Sequence, residues 1–321
     1  YDPLRQAAAT LREMLRAEAA QALGQPAEEL LARDGAFEKA TDPEIRVTYG
    51  ELVGRNLDWQ VPDEDIPLKP ASAHKFIGQS LPRVDLPSKI TGASVFGYDA
   101  RDKVLLYGAA VHRPTIEAKM RSAQPGQAEG MPGVVKVVIE DNFAGVVATS
   151  RLQAWAARNA LEVDWDEGHL WQQAELEDLV TTGGRGGVVI QQEGDASSVL
   201  NQGGPIRAEY RSGMAAHASM EPQAALAVFG PEGGKVWTST QFEMTSRSAV
   251  AAALDLEPVQ IEIVPTVLGG GLGRKIELGP VPSAAIEAAR LSRAVGAPVH
   301  VGWDRYEEMR DGFVRPLTHH R

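Results

Sequence analysis

The sequence predicts an α+β fold, and three observations support this class. Residues 1–24 show the periodicity of an amphipathic helix. In residues 89–170, runs of β-branched residues separated by Gly, Pro and Asp are typical of short strands. Residues 195–321 alternate similar runs with two further helical segments. No internal repeat or low-complexity tract interrupts this organisation.

Length, charge and cysteine content restrict the classes of protein to consider. A chain of 321 residues is long enough for two or three domains with a sizeable core. The formal net charge of -11 argues against a nucleic-acid partner, because phosphate binding relies on concentrated Lys and Arg. Without cysteine, the chain has no disulfide and no Cys-ligated iron–sulfur cluster of its own. No apolar run approaches the roughly 18 residues of a membrane-spanning helix.

The first 85 residues predict a helix followed by short elements and a linker. Asp2 is placed to cap the helix, Pro3 to occupy its first position and Gly24 to end it. Thr48 and Glu51 have the spacing of a capping box ahead of a second, short helix. Five prolines then predict an extended linker over residues 59–88. The helical face is predicted to contain Leu4, Leu11 and Leu15.

Residues 86–194 and 195–321 predict two further domains. The first contains candidate strands at residues 95–98, 104–111, 134–139 and 162–165, with a helix at 150–161. A glycine-rich break at residues 181–187 precedes the second domain. Helices are predicted in that domain at residues 246–254 and 283–296.

The segment TVLGGGLGRK, residues 266–275, has the most unusual composition, and its glycine loop (residues 269–275) allows close approach of a ligand. A phosphate-binding P-loop requires Ser or Thr after the lysine, whereas Ile276 follows Lys275. A dinucleotide fingerprint fails at its third glycine, where Arg274 stands. Two interpretations remain open, namely a structural turn and a contact with a cofactor of another type.

Three polar residues precede the glycine loop. His217 and Glu221 are four apart, but Pro222 and the strand-like run after it argue against a helix that would bind metal. A structural role is favoured over metal ligation. Gln241 follows a candidate strand and could donate a hydrogen bond. Residues 305–310 form a charge run, which predicts an exposed turn with salt bridges.

The order of these motifs is more specific than any one of them. HASMEP (217–222), STQFEMTSRSAVAAALDL (239–256), GGGLGRK and PVHVGWDRYEEMRDGFVRP (298–316) follow one another. This order resembles the molybdopterin-binding large subunits of the xanthine dehydrogenase and aldehyde oxidase family. LPSKITGASVFGYD (86–99) resembles the α/β hammerhead domain of that family, and residues 1–80 are similar to isoquinoline 1-oxidoreductase β subunits.

The resemblance implies roles for particular residues. Gln241 matches the family glutamine that hydrogen-bonds the molybdenum oxo group. Gly271, Leu272 and Gly273, with Gly270 before them, match a loop whose main chain packs against the cofactor, the family usually having Phe in place of Leu272. The residues His217 and Glu221 match a motif that braces the site. Arg274 and Lys275 are expected to face either cofactor phosphates or solvent.

The resemblance also implies cofactors and partners. It implies a molybdenum-bearing molybdopterin cytosine dinucleotide, iron–sulfur clusters on a small partner subunit, and oxidation of an aldehyde or N-heterocycle with water as the oxygen source. No metal-ligating residue and no general base is expected in this chain, since the family's catalytic glutamate lies in a motif that is absent here. We therefore expect an internal portion or one piece of a split large subunit, inactive alone. The alternative is a non-catalytic scaffold of the same fold that binds no cofactor by itself.

Overall fold

A computed structural model describes residues 1–54, 59–62, 65–182, 187–277, 282–311 and 314–321. The chain is a mixed α/β protein that divides into two compact units, Tyr1–Leu86 and Pro87–Arg321. The predicted glycine-rich break at 181–187 lies mostly outside the described residues. Among the described helices, none is long and apolar enough to cross a bilayer.

The first unit packs a long helix and a short one against an antiparallel sheet in the order β1-β2-β3. The turn between β1 and β2 requires left-handed backbone, with φ of 47° at Asp34 and 75° at Gly35. The elements are α1 (Asp2–Leu23), β1 (Leu30–Arg33), β2 (Ala36–Lys39), β3 (Asp42–Thr48) and α2 (Tyr49–Val53).

Two of the predicted helix boundaries are confirmed and one is wrong. Gly24 ends α1 in the left-handed conformation, and the Thr48 and Glu51 capping box starts α2. Asp2 is the first helical residue rather than the cap, because Tyr1 occupies the N-cap position. The predicted apolar face is only partly buried. Leu15 lies in the core, whereas Leu4 and Leu11 are exposed.

The second unit begins inside α3 (Leu86–Ile90) and contains the remaining elements. In chain order these are β4 (Leu106–Ala110), β5 (Lys119–Gln124), β6 (Val134–Glu140), β7 (Phe143–Ala148), α4 (Arg151–Arg158), β8 (Glu162–Asp166), α5 (Gln173–Val180), α6 (Ala196–Asn201), β9 (Tyr210–Ser212), β10 (Ala224–Gly230), β11 (Gly233–Thr238), α7 (Glu243–Leu254), β12 (Ile261–Pro265), α8 (Ala284–Val295), β13 (Val299–Gly302), α9 (Arg305–Arg310) and β14 (Thr318–His320).

A mixed sheet in the order β12-β11-β10-β13-β4-β7-β6 forms the centre of this unit. The pairs β11 with β12 and β13 with β4 are parallel, and the other pairs are antiparallel. Helix α8 packs on this sheet, with Ala288 and Leu291 fully buried, and α7 packs beside α8. The sheet combines strands from residues 86–194 with strands from residues 195–321. The predicted domain boundary between residues 194 and 195 therefore stays a prediction.

Several predicted elements are confirmed, and others differ. Strands at 104–111, 134–139 and 162–165 match β4, β6 and β8, and the helix at 150–161 matches α4. The strand at 95–98 is wrong, because Gly97–Asp99 is a 3-10 turn. Helix α7 begins at Glu243, three residues before the predicted start. The buried strand β7 was not predicted.

Candidate functional site

The loops that carry the predicted site residues meet at one edge of the mixed sheet. Antiparallel pairing places the start of β10 beside the end of β11, where Ala225 lies opposite Thr238. Parallel pairing places the end of β12 at the same edge, since Thr238 aligns with Pro265. Glu221 precedes β10, Gln241 follows β11, and the glycine loop follows β12. The three segments therefore converge.

The glycine loop requires left-handed backbone at three of its residues. The φ angles are 97° at Gly270, 54° at Leu272 and 100° at Gly273. A left-handed conformation costs a non-glycine residue roughly 1–2 kcal/mol. Leu272 adopts it although 74% of its surface is exposed. The strain at Leu272 is therefore associated with the shape of the loop and not with burial of the side chain.

Neighbouring side chains, in the positions they occupy, leave no room for a Cβ atom at two glycines of the loop. A Cβ atom at Gly269 would lie 2.4 Å from Cβ of Glu221. A Cβ atom at Gly271 would lie 2.4 Å from Oε1 of Gln241. Real Cβ atoms do not approach other atoms this closely. The structure thus brings Glu221, Gln241 and the loop into direct contact.

Hydrogen bonds fix the orientation of Gln241. Its Oε1 accepts a hydrogen bond from the Gly273 N–H at 2.8 Å, and its own backbone N–H donates to the Lys275 carbonyl at 2.8 Å. Because an amide nitrogen cannot accept from the Gly273 N–H, Nε2 occupies the other position. Among the described residues, none accepts a hydrogen bond from this Nε2 atom.

Consecutive backbone donors lie next to Gln241. Within the described part of the chain, no atom accepts a hydrogen bond from the N–H groups of Gly270, Gly271 or Leu272. Backbone N–H groups in a left-handed turn are typical of sites that bind anionic groups. The loop therefore combines free donors, a bare backbone and the Gln241 amide in one place.

Glu221 and Lys275 form an ion pair beneath the loop. Lys275 Nζ lies 2.7 Å from Oε2 of Glu221 and 3.0 Å from Oγ of Ser239. Lys275 is 2% exposed. Burial lowers the pKa of Lys275, and the hydrogen bond to Glu221 opposes this effect. The expectation that Lys275 faces cofactor phosphates or solvent is wrong.

Arg274 also points into the protein, which corrects the same expectation. It is 3% exposed, and its Nε donates to the Asp311 carbonyl at 3.2 Å. Its guanidinium lies over the Trp303 ring, 5.3 Å from the centroid. With its amide oriented for hydrogen bonding, Gln223 accepts from both terminal nitrogens of Arg274 at 2.6 and 2.7 Å. Arg274 therefore anchors the end of the loop to the interior.

His217 lies beneath the far end of the loop. A Cβ atom at Gly273 would lie 3.5 Å from Nε2 of His217, which is ordinary van der Waals contact. The segment that follows is fixed by Arg305, which donates to the carbonyls of Ser219 and Met220 at 2.5 and 2.6 Å. His217 thus lies near the far end of the loop, whereas Glu221 binds the loop directly through the N–H of Gly269.

A buried polar cluster at the same edge was not predicted. His112, which follows β4, lies 2.7 Å from Asp311 through Nδ1 and 2.9 Å from Glu287 through Nε2. Trp303 donates to the other Glu287 oxygen at 3.0 Å. Burial by itself lowers the pKa of His112, but the charge of Glu287 and the hydrogen bond to Asp311 outweigh it and raise this pKa to about 10. His112 is therefore a buried cation at neutral pH.

The charge run at 305–310 is not an exposed turn. Residues Arg305–Arg310 form α9, in which Glu307 and Glu308 are 5% and 3% exposed. Glu308 accepts from Oγ of Ser219 at 3.2 Å and from the N–H of Gln223 at 3.0 Å. The prediction was wrong because the partners of these carboxylates are distant in sequence.

An open cavity of about 1490 Å³ lies beside the buried cluster. Its lining includes His112, Glu277, Glu287 and Arg290, and it includes neither Gln241 nor the glycine loop.

Among the described residues, no group of three or more His, Asp or Glu side chains could hold a metal ion. The donors of the candidate site are the N–H groups of the glycine loop and the amide of Gln241.

Comparison with known proteins finds one matching family and several relatives. The family of the molybdopterin cofactor-binding domain matches residues 182–319. The chain is 31% identical over 318 residues to a component of the nicotinate dehydrogenase of Pseudomonas putida, covering 95% of this chain and 26% of that protein. It is 27% identical over 367 residues to the β subunit of the isoquinoline 1-oxidoreductase of Brevundimonas diminuta, covering 99% of this chain and 46% of that protein.

The chain therefore spans about a quarter to a half of the length of these relatives. A solved structure with a similar fold is the aldehyde oxidoreductase of Desulfovibrio gigas, with a TM-score of 0.59 and 19% identity. The match covers 74% of this chain and 31% of that one. At this level of identity the similarity is one of fold.

Proposed function

Because this chain belongs to the xanthine dehydrogenase family of molybdopterin-binding subunits, we propose that it forms one wall of a molybdenum-cofactor site in a hydroxylase. The intact enzyme would oxidise an aldehyde or an N-heterocycle with water as the oxygen source. The names of two relatives support this substrate class, since nicotinate and isoquinoline are N-heterocycles.

The proposal rests on the hydrogen-bond donors of the glycine loop. The N–H groups of Gly270, Gly271 and Leu272 have no acceptor among the described residues. A molybdopterin cofactor is anionic, and free N–H groups on an unhindered backbone are suited to such a group. The exposed amide of Gln241 adds a donor next to them. The residues present therefore fit the cofactor.

The roles of the chain in this proposal are binding and orientation. Gly270, Gly271, Leu272 and Gly273 would contact the cofactor through their backbone, and Nε2 of Gln241 would donate a hydrogen bond to it. When bound, the cofactor supplies the two-electron redox step. His217 and Glu221 would hold the loop from beneath rather than touch the cofactor.

The protonation chemistry is proposed to lie elsewhere in the intact subunit. The described carboxylate in direct contact with the loop is Glu221, and Lys275 holds it at 2.7 Å. Both oxygens of Glu221 are engaged, Oε2 by Lys275 and Oε1 by the N–H of Tyr98, so this carboxylate is not placed to act on a substrate. We therefore assign the general base to a glutamate outside this chain, as the family resemblance implies.

The finer features of the assembly belong to the same proposal. The cofactor would be the molybdopterin cytosine dinucleotide, and electrons would leave through iron–sulfur clusters on a small partner subunit. Zero cysteines in this chain are consistent with clusters on another chain. Residues 86–194 would form the α/β hammerhead-like domain, and residues 195–321 part of the molybdopterin-binding domain after the segment at 1–85.

Metal and nucleotide analysis of the full-length complex tests the proposal. The purified complex is expected to contain molybdenum and to release a cytosine nucleotide from its cofactor after acid hydrolysis. A complex with neither would contradict it and would favour the alternative, a non-catalytic scaffold of the same fold. Molybdenum together with a different nucleotide would support the proposed cofactor site and contradict only the cytosine form of the cofactor.

A further inference from the structure

The side chain of Lys275 connects the two ends of the glycine loop. Its Nζ binds Oε2 of Glu221 at 2.7 Å, and the same oxygen accepts from the N–H of Gly269 at 3.1 Å. The Glu221 N–H in turn donates to the Gly269 carbonyl at 2.9 Å. The Glu221 carboxylate therefore binds both Gly269, the first residue of the loop, and Lys275, the last.

The carbonyl of Lys275 holds a second segment. It accepts from the N–H of Gln241 at 2.8 Å and from Oγ1 of Thr240 at 3.3 Å. Glu221 also reaches a third segment, because its Oε1 accepts from the N–H of Tyr98 at 3.2 Å. Lys275 thus links the loop to the end of β11 directly and to residues 97–98 through Glu221.

The burial of two charges indicates that the Lys275–Glu221 pair fixes the loop geometry rather than adding to the stability of the protein. Burying two charges costs several kcal/mol each, and an ion pair in the interior rarely stabilises a protein more than a packed apolar pair of the same size. The side chains are 1% exposed for Lys275 and 10% for Glu221. This ion pair restricts the loop geometry, because Lys275 and Glu221 keep their hydrogen-bond partners only in this arrangement of the loop.

We propose that Lys275 is a positioning residue, whose ion pair with Glu221 holds the glycine loop in the conformation that exposes the N–H groups of Gly270, Gly271 and Leu272. This inference rests on the proposed function in one respect, namely that these groups contact the cofactor. Lys275 itself touches no cofactor, since its ammonium group lies between Glu221 and Ser239.

Hydrogen exchange of the loop amides in the full-length complex tests the inference. The hydrogen-bonded amides of the loop belong to Gly269, Gly273 and Arg274. In Lys275→Met these amides are expected to exchange about 10-fold faster than in the wild type, because loss of the pair allows local opening. Peptides from β10 and β11 should be unchanged. Molybdenum content should fall about fivefold or more at the same protein concentration, while Lys275→Arg should keep most of it.

A matched control removes a different buried ion pair. Arg158 pairs with Glu307, and the two side chains are 12% and 6% exposed. Arg158→Met should lower stability without changing exchange of the loop or cofactor content. Equal effects of Arg158→Met and Lys275→Met on the loop would overturn the inference, since they would indicate general destabilisation.

A second variant covers the case in which Lys275→Met does not fold because Glu221 is left buried and unpaired. Lys275→Met with Glu221→Met removes both charges, and we expect it to fold with a fast-exchanging loop. Slow exchange in that double variant, or unchanged exchange in Lys275→Met, overturns the inference. Hydrogen exchange of cofactor-free protein tests the positioning role without the cofactor. A wild type that contains no molybdenum would therefore contradict the proposed function and not the positioning role.

Discussion

The N–H of Gly273 donates to Oε1 of Gln241 at 2.8 Å, across 32 residues of sequence. This bond determines which end of the Gln241 amide faces the glycine loop. It leaves the Nε2 atom as a donor beside a row of backbone N–H groups. The proposed cofactor contact therefore depends on the fit between one side chain and one glycine-rich segment.

Gly271→Ala is expected to disturb that fit. The added Cβ would lie 2.4 Å from Oε1 of Gln241, so the side chain or the loop must move. A displacement of about 1 Å at a cofactor contact can reduce turnover about 100-fold. Turnover and molybdenum content of the full-length complex measure the effect. Gly130→Ala is the control, because a Cβ there meets no atom within 4 Å, and it should retain both.

Substitutions at Leu272 test the strained backbone. Its φ of 54° suits glycine and is least suited to a β-branched residue. Leu272→Gly should change the free energy of unfolding by less than about 1 kcal/mol, because relief of strain offsets the greater entropy of the unfolded chain. Leu272→Val should be less stable than Leu272→Gly by about 1–2 kcal/mol, because only the valine bears the cost of the left-handed conformation. Equal stability of the two variants in urea unfolding would rule out the left-handed conformation.

The buried His112 predicts a pH dependence of stability. Its pKa of about 10 lies above the ordinary value of 6.5, so its contribution is complete below pH 6.5 and is lost as the pH rises towards 10. Between these limits the unfolding free energy should fall by at most about 1.4 kcal/mol per pH unit from this group.

His112→Gln is the comparison for that measurement. The variant should be less stable near pH 6.5, because Glu287 and Asp311 lose a buried cation, and its stability should fall less steeply up to about pH 9. Parallel curves for wild type and variant would show that His112 is not charged in the folded protein. Urea unfolding at several pH values provides both curves.

Local patterns predicted much of the secondary structure. Helix α8 follows from its apolar periodicity and from Gly296, which ends it in the left-handed conformation. The capping box of α2 follows from the spacing of Thr48 and Glu51. Strand β7 was missed because all six of its residues are buried, so it lacks the alternation that identifies a half-exposed strand.

The candidate site was predictable as a set of residues but not as an arrangement. The glycine loop was singled out by its composition and Gln241 by motif order, and the structure places them in contact. The burial of Lys275 and Glu308 was not predictable, because charged residues are usually exposed and their partners lie 54 and 85 or more residues away. Such pairings depend on sheet register rather than on local sequence.

Replacement of Gln241 tests the central claim most directly. In the full-length complex, Gln241→Ala removes the amide beside the free N–H groups, and we expect turnover to fall about 100-fold or more. Gln127→Ala, at an exposed position outside the site, should match the wild type. Wild-type turnover and wild-type molybdenum content in Gln241→Ala would contradict the claim that this loop and this glutamine hold the cofactor.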